Sequence, residues 1–239
     1  VLIVDHAAKL AEKIRISGGG RCNFTNLDVG GAHYLSRNPQ FCRSALARYS
    51  AADFVALVQR HGIAFHEKHK GQLFCDDSAE QIIRMLVQEC DAGQVTRWQP
   101  CRAQDVQRDA EGWAVSTDRG DVHAASVVIA TGGLPVPKIG ASDYGLRLAQ
   151  RLGHRLVEPR AALVPLTFDA KAWAPFVPMA GIALPVAIST ETPARRGTQT
   201  VRFLEDLLFT HRGISGPAVL QISSYWRPGQ TVRLDLAPQ

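Results

Sequence analysis

The sequence predicts an α/β protein in which a parallel-sheet region is followed by a smaller β-rich unit. Two continuous apolar runs carry the first half of that prediction, VLIVDH at residues 1–6 and SVVIATGG at 126–133. Each ends in an acid or in glycines, the pattern of parallel strands covered on both faces. Helical patterns lie between and after them. Past residue 158 prolines become frequent, and LVPLTF, IALPVAIS and TVRLDL read as strands of an antiparallel unit. The boundary is therefore placed at residue 158, giving segments 1–158 and 159–239.

The elements follow in order. Asp5 closes the first strand at its C-terminal end. In a dinucleotide-binding fold, an acid closing the second strand holds a ribose hydroxyl and lies about 20 residues after a G-x-G-x-x-G turn. Such a turn would precede Val1, and no Met opens the chain, so the sequence is expected to be a piece of a longer protein. KIRISGGGRCNFTN, residues 13–26, comes next. Ser50 with Asp53 forms a capping box ahead of FVALVQRHG, which Gly62 is placed to stop. Ser78 and Gln81 repeat that signal ahead of IIRMLVQEC, with Gly93 as the stop. VTRWQ, RAQDVQR and GWAVSTD, between residues 95 and 123, read as a small meander with turns at DAEG and RGD. After the second apolar strand, DYGLRLAQRLG reads as a helix stopped by Gly153. In the last unit, ETPARRGTQ is the candidate exposed loop.

Composition narrows the class. A chain of 239 residues can bury a substantial core. Lys and Arg outnumber Asp and Glu by 27 to 22, for a net charge of +5, but the excess is scattered. That permits anionic ligands without demanding nucleic acid. Cys22, Cys42, Cys75, Cys90 and Cys101 are odd in number and contain no C-x-x-C pair, which argues against a disulfide framework and a zinc ribbon and fits a reducing cytoplasm. No apolar stretch is long enough to span a bilayer and no leader pattern opens the chain, so it is expected to be soluble and not exported.

Three constellations carry candidate chemistry. At Gly18, Gly19 and Gly20 the missing Cβ atoms would let backbone N–H groups approach a phosphate or a flat ring, and Arg21, Asn23, Thr25 and Asn26 could add side-chain hydrogen bonds. A flexible turn is the alternative. Thr131, Gly132 and Gly133 lie where a strand would deliver them to the carboxyl edge of a sheet, the alternative being an ordinary strand exit. In FTHRGISGPAVLQISSYW, Ser215 or Gly216 can cap a helix with Pro217 in its first turn, while His211 and Arg212 could donate to a substrate. Solvated basic neighbours of a helix start are the alternative there. HEKH at 66–69 lacks both H-E-x-x-H spacing and a third ligand, so no metal is expected. Trp98, Trp113, Trp173 and Trp226 are dispersed and form no stacking series for nucleic acid.

Together, VLIVD, KIRISGGGRCNFTN, VVIATGGLPVPKIGASDYG, LVPLTF and LLFTHRGISGPAVLQISSYW resemble, over essentially the whole chain, a bacterial family of FAD-binding flavoproteins described as YhiN-like, BaiN-like or aminoacetone-oxidase-like. The resemblance implies a Rossmann-like FAD-binding domain of the two-dinucleotide type interrupted by a β-rich insert domain. It implies Asp5 as the acid on the FAD ribose, and Lys13, Ser17, Gly18, Gly19, Gly20, Arg21, Cys22, Asn23, Thr25 and Asn26 as part of the flavin and pyrophosphate cradle. Thr131, Gly132 and Gly133 correspond to the second flavin-domain signature. Leu10, Ala11 and Glu12 stand where the family carries Pro-Gly-Arg. Members also carry an earlier G-x-G-x-x-G turn and a later segment returning to the FAD domain.

The expectation is a cytoplasmic FAD-dependent oxidoreductase that moves a hydride between NAD(P)H and a small organic substrate, with no nucleic acid or membrane partner. His211, Arg212 and Ser215 are the catalytic candidates. Two other classes stay open: a flavin- or nucleotide-binding protein without turnover, and a basic RNA- or phosphate-binding protein.

Overall fold

The computed structural model describes residues 1–193 and 197–238, and the chain divides into two compact units, Val1–Leu156 and Val157–Gln239. The first runs β1 (Leu2–Val4), α1 (Glu12–Ile16), β2 (Asn23–Asn26), α2 (Arg43–Arg48), α3 (Ala51–Arg60), β3 (Phe65–Glu67), β4 (Gln72–Cys75), α4 (Glu80–Ala92), β5 (Thr96–Trp98), β6 (Ala103–Arg108), β7 (Trp113–Thr117), β8 (Gly120–Ala124) and α5 (Tyr144–Arg151).

The backbone of β1 finds its partners in β5, in parallel, with Leu2 opposite Thr96 and Val4 opposite Trp98. Thr96 N–H donates to the Val1 carbonyl and Asp5 N–H to the Trp98 carbonyl, both at 3.0 Å, extending the ladder at each end. VTRWQ therefore leaves the expected meander, because strand β1 needs a hydrogen-bonding neighbour. The meander that forms is β6–β7–β8, with Val106 opposite Val115 and Val115 opposite Val122.

The expected second parallel strand does not form. SVVIATGG has no strand pairing, and Val128 and Ile129 are 86% and 42% exposed. A continuous apolar strand is stable when neighbours satisfy its backbone. Among the described residues β1 and β5 pair only with each other, so none runs beside this segment.

Helix α3 begins with the expected capping box. Asp53 N–H donates to Ser50 Oγ (3.2 Å) and Ser50 N–H to Asp53 Oδ2 (2.7 Å). Those Ser50 donors hold the Asp53 carboxyl below its ordinary range. At α4 the expected Ser78–Gln81 box is replaced. The Ser78 hydroxyl accepts from Glu80 N–H at 3.2 Å, but Gln81 turns to Asp77. The cause is tertiary: Ala79, only 1% exposed, occupies the N-cap and donates its N–H to the Gly20 carbonyl at 2.8 Å. Leu57 and Val58 of α3, Ile82 and Met85 of α4, and the thiols of Cys22 and Cys75 form one core, against which Ile14, Phe24, Phe54 and Phe65 pack.

The second unit runs β9 (Leu166–Thr167), α6 (Ala170–Trp173), β10 (Ala183–Pro193), β11 (Thr198–Thr210), β12 (Gly213–Ser215), α7 (Pro217–Ser223) and β13 (Val232–Asp235). Its antiparallel sheet has the order β13–β10–β11–β12–β9. LVPLTF, IALPVAIS and TVRLDL supply β9, β10 and β13. Of the candidate loop ETPARRGTQ, residues 194–196 lie outside the described residues, while Glu191–Pro193 and Thr198–Gln199 are strand. Val186, Ile188, Leu207 and Phe209 face Val219 and Ile222 of α7 in the core. Trp173 stacks on Phe168 at 4.7 Å between ring centres and donates its indole N–H to the Thr210 carbonyl at 2.9 Å. Among the described residues of both units, no helix is long and apolar enough to cross a membrane.

The entry to α7 depends on Gly216. Its φ is +88°, and a Cβ there would lie 2.7 Å from the Asp206 carbonyl oxygen and 2.8 Å from Leu208 N. Gly229 has the same φ with nothing within 4 Å. In the whole protein, Gly216→Ala is expected to cost about 3 kcal/mol or more, from strain and backbone overlap together. Gly229→Ala is expected to cost about 1 kcal/mol. Urea unfolding of both variants checks the contrast, and equal costs would contradict it.

Candidate functional site

SGGG folds as a tight left-handed turn that only glycines make cheaply. Gly18, Gly19 and Gly20 have φ of +58°, +67° and +87°, followed by Cys22 at +52°. Main-chain bonds fix the turn from both sides. Cys22 N–H donates to the Ser17 carbonyl (3.0 Å), Cys75 N–H to the Arg21 carbonyl (3.0 Å) and Ala79 N–H to the Gly20 carbonyl. Ser17 Oγ donates to the Ile14 carbonyl at 2.8 Å, tying the turn to the end of α1.

The three glycines are not equivalent. A Cβ on Gly18 would stand 2.7 Å from the Phe74 ring and 2.8 Å from Asn23 N, so this glycine serves close packing. On Gly19 or Gly20 a Cβ would meet nothing within 4 Å. Those two present bare backbone on an open face, which suits the approach of a phosphate or a flat ring.

The flanking candidates divide in the same way. Cys22 is 4% exposed and turns its thiol into the core beside Cys75. Burial, then the neighbouring Cys22, pushes the Cys75 thiol up to about 11, so it is protonated at neutral pH. With its amide turned so that the nitrogen faces them, Asn23 donates to the carbonyls of Leu73 (3.3 Å) and Thr25 (3.1 Å), and Thr25 itself sits opposite Leu73. Asn26 donates to the Lys70 carbonyl at 2.9 Å and accepts from Asp28 N–H at 2.8 Å. It also lines a cavity of about 400 Å³ with Asp28, Val29, His33, Tyr34 and Lys70. Lys13 and Arg21 are exposed, leaving their charges available to an anion.

Asp5 stands where β1 ends, its carboxylate accepting Ala7 N–H at 2.9 Å. Its neighbour His6 places Nε2 3.1 Å from the Gly140 carbonyl, which joins this strand end to the loop following Thr131–Gly133. Thr131 and Gly132 are exposed. Gly145, in the first turn of α5, has no room for a Cβ, which would lie 2.7 Å from Thr131 Oγ1. Gly132 has φ +70° with nothing within 4 Å, the same open backbone as Gly19 and Gly20.

His211, Arg212 and Ser215 lie on the second unit. His211 and Arg212 form the exposed tip between β11 and β12. Thr210 Oγ1 braces the tip by donating to the Gly213 carbonyl at 2.9 Å, and Arg212 N–H approaches that hydroxyl at 3.4 Å. Ser215 ends β12, and Gly216, not Ser215, occupies the N-cap of α7. In HEKH, His66 pairs with Asp76 at 2.7 Å. Among the described residues no group of three metal-ligating side chains occurs.

A parallel strand ending in an acid, a left-handed glycine turn and a second open glycine loop define a dinucleotide-binding α/β protein. The chain matches the HI0933-like protein Rossmann domain over residues 1–222 and belongs to that family. It is 50% identical over 238 residues to the ribosomal RNA dihydrouridine synthase of Escherichia coli and 45% identical over 242 residues to that of Haemophilus influenzae. It is 26% identical over 247 residues to the 3-dehydro-bile acid delta(4,6)-reductase of Clostridium scindens. Each alignment covers 100% of this chain and 58% of the relative, so the chain spans less than two thirds of the relatives' length. The two relatives named for ribosomal RNA overturn the expectation that nucleic acid is not a partner. Net charge alone does not exclude nucleic acid, because it does not report how the charge is distributed over a surface.

The family supports FAD as the cofactor, and the open backbone at Gly19, Gly20 and Gly132 fits it. In the whole protein, Gly19→Val is expected to abolish or severely weaken FAD retention while the fold largely survives, since the branched side chain fills the open face and resists positive φ. Gly18→Val is expected to unfold the region through Phe74 and Asn23. Flavin absorbance per polypeptide and the urea midpoint separate the two. Full FAD content in soluble Gly19→Val protein would contradict the assignment.

Proposed function

We propose that the protein containing this chain is a FAD-dependent oxidoreductase that saturates a carbon–carbon double bond in a pyrimidine of ribosomal RNA. The 50% identity along the whole chain to a relative named as a ribosomal RNA dihydrouridine synthase carries this reading. Dihydrouridine is uridine with its C5–C6 double bond saturated. Its formation adds a hydride at C6 and a proton at C5, with electron density passing through the conjugated C4 carbonyl. The name of the bile-acid relative likewise denotes reduction of double bonds in an oxo compound. The shared reaction class is reduction of an electron-poor alkene. Ribosomal RNA as substrate also suits a reducing cytoplasm, in keeping with the free state of all five cysteines.

When bound, FAD supplies the hydride, and NAD(P)H is the proposed donor that replenishes it. The chain's residues hold and orient. In this reading Gly19 and Gly20 admit the cofactor to the backbone, Lys13 and Arg21 offer charge to its phosphates, and Asp5 accepts from the ribose. Thr131–Gly133 supply the second contact. Arg212 is assigned to the pyrimidine carbonyl, whose oxygen gains charge as the hydride arrives, with Ser215 as a further donor. His211 is assigned the proton delivered to C5.

Purified whole protein, given NAD(P)H and ribosomal RNA lacking the modification, is expected to produce dihydrouridine detectable by mass spectrometry of the digested RNA. Reducible bound flavin with no dihydrouridine formed would contradict the substrate assignment. Arg212→Ala is expected to retain FAD but slow RNA-dependent reoxidation of the flavin about 10²-fold. His211→Ala is expected to show a smaller, pH-dependent loss. Unchanged stopped-flow rates in both would remove this tip from the chemistry.

A further inference from the structure

We propose that the exposed segment from Tyr34 to Tyr49 is a docking surface for single-stranded RNA, an inference that rests on RNA being the substrate. Between Asp28 and Asp53 the sequence has no acid, and within that stretch stand Arg37, Arg43 and Arg48. Aromatic side chains stand among them: Tyr34 is 47% exposed, Phe41 83% and Tyr49 53%.

The rings depart from the other phenylalanines of the unit, and the arginines stand together without an acid among them. Phe24, Phe54 and Phe65 pack against the core, whereas these three rings remain outside it. Some arginines of the unit meet acids, as Arg97 does Asp91 at 2.7 Å and Arg147 does Asp143 at 3.1 Å. Among the described residues Arg37, Arg43 and Arg48 make no ion pair, and Arg43 bonds only the neutral amide of Gln40 at 2.7 Å. The segment keeps a definite shape through local bonds: Asn38 N–H to Ser36 Oγ (2.9 Å), Gln40 N–H to Asn38 Oδ1 (3.2 Å) and Phe41 N–H to the Asn38 carbonyl (3.0 Å).

Unpaired cations beside exposed rings are what a single strand needs: phosphates release counterions onto the arginines, and any splayed base can stack on a ring. Charge complementarity therefore selects RNA over an apolar protein partner. The surface also continues from the candidate site, because Tyr34 lines the same cavity as Asn26.

The test compares the whole wild-type protein with an Arg37→Ala, Arg43→Ala, Arg48→Ala triple variant and with Phe41→Ala. The probe is a short fluorescent oligouridylate, titrated by anisotropy over a range of KCl concentrations. The triple variant is expected to lose about 2 from the slope of log affinity against log salt, given roughly 0.7 per phosphate contact. Phe41→Ala is expected to bind about 5- to 100-fold more weakly at every salt concentration. Both should keep wild-type FAD content and melting temperature. Wild-type affinity and slope in both variants would overturn the proposal. So would a lowered melting temperature in Phe41→Ala with unchanged affinity, because the ring would then be covered by protein. If the wild-type protein modifies ribosomal RNA and the variants do so equally well, only this surface fails. If the oligouridylate binds through these residues but no dihydrouridine forms, the surface stands and the catalytic reading fails.

Discussion

The left-handed run through Gly18, Gly19 and Gly20 is the constraint on which the first unit depends. Three successive positive φ values reverse the chain between α1 and β2. The turn can then accept from Ala79 at the start of α4 and, through Arg21, from Cys75 at the end of β4. The same reversal buries Cys22 against Cys75 and brings Gly18 under the Phe74 ring. Two backbone environments are thereby set side by side within three residues. At Gly18 a side chain would collide with Phe74 and Asn23, while at Gly19 and Gly20 the space for one is open.

The second unit solves a different problem. Its long β10–β11 hairpin buries alternate residues of β11, and α7 covers that face. Gly213, at φ +154°, leaves no room for a side chain beside the Leu166 carbonyl and Thr167, so β12 is held closely against β9. The His211–Arg212 tip is consequently mounted on two strands and braced by Thr210.

Much of this was legible in the sequence where the signal is local. Ser50 and Asp53 cap α3, Gly62 and Gly153 adopt positive φ after their helices, and the glycine triplet marks a turn. The failures have a common cause in non-local pairing. VTRWQ has ordinary strand composition, and nothing local reveals that its partner is β1, far away in the chain. SVVIATGG carries the pattern of a buried strand, yet a ladder needs a neighbour. Strand β11 is masked in the sequence by Arg202, Glu205 and Asp206. Its period-two alternation of Val201, Phe203, Leu207 and Phe209 was the available signal. The four tryptophans are dispersed, whereas tyrosine, phenylalanine and arginine cluster in residues 34–49.

In the proposed reading the backbone of Gly19 and Gly20 is a contact surface for FAD. Hydrogen–deuterium exchange of the whole protein, followed by mass spectrometry with and without bound FAD, measures that contact at the amides themselves. The account predicts strong FAD-dependent protection across residues 17–21, accompanied by protection around residues 131–133. Protection confined to other segments, with residues 17–21 exchanging equally fast in both states, would contradict it.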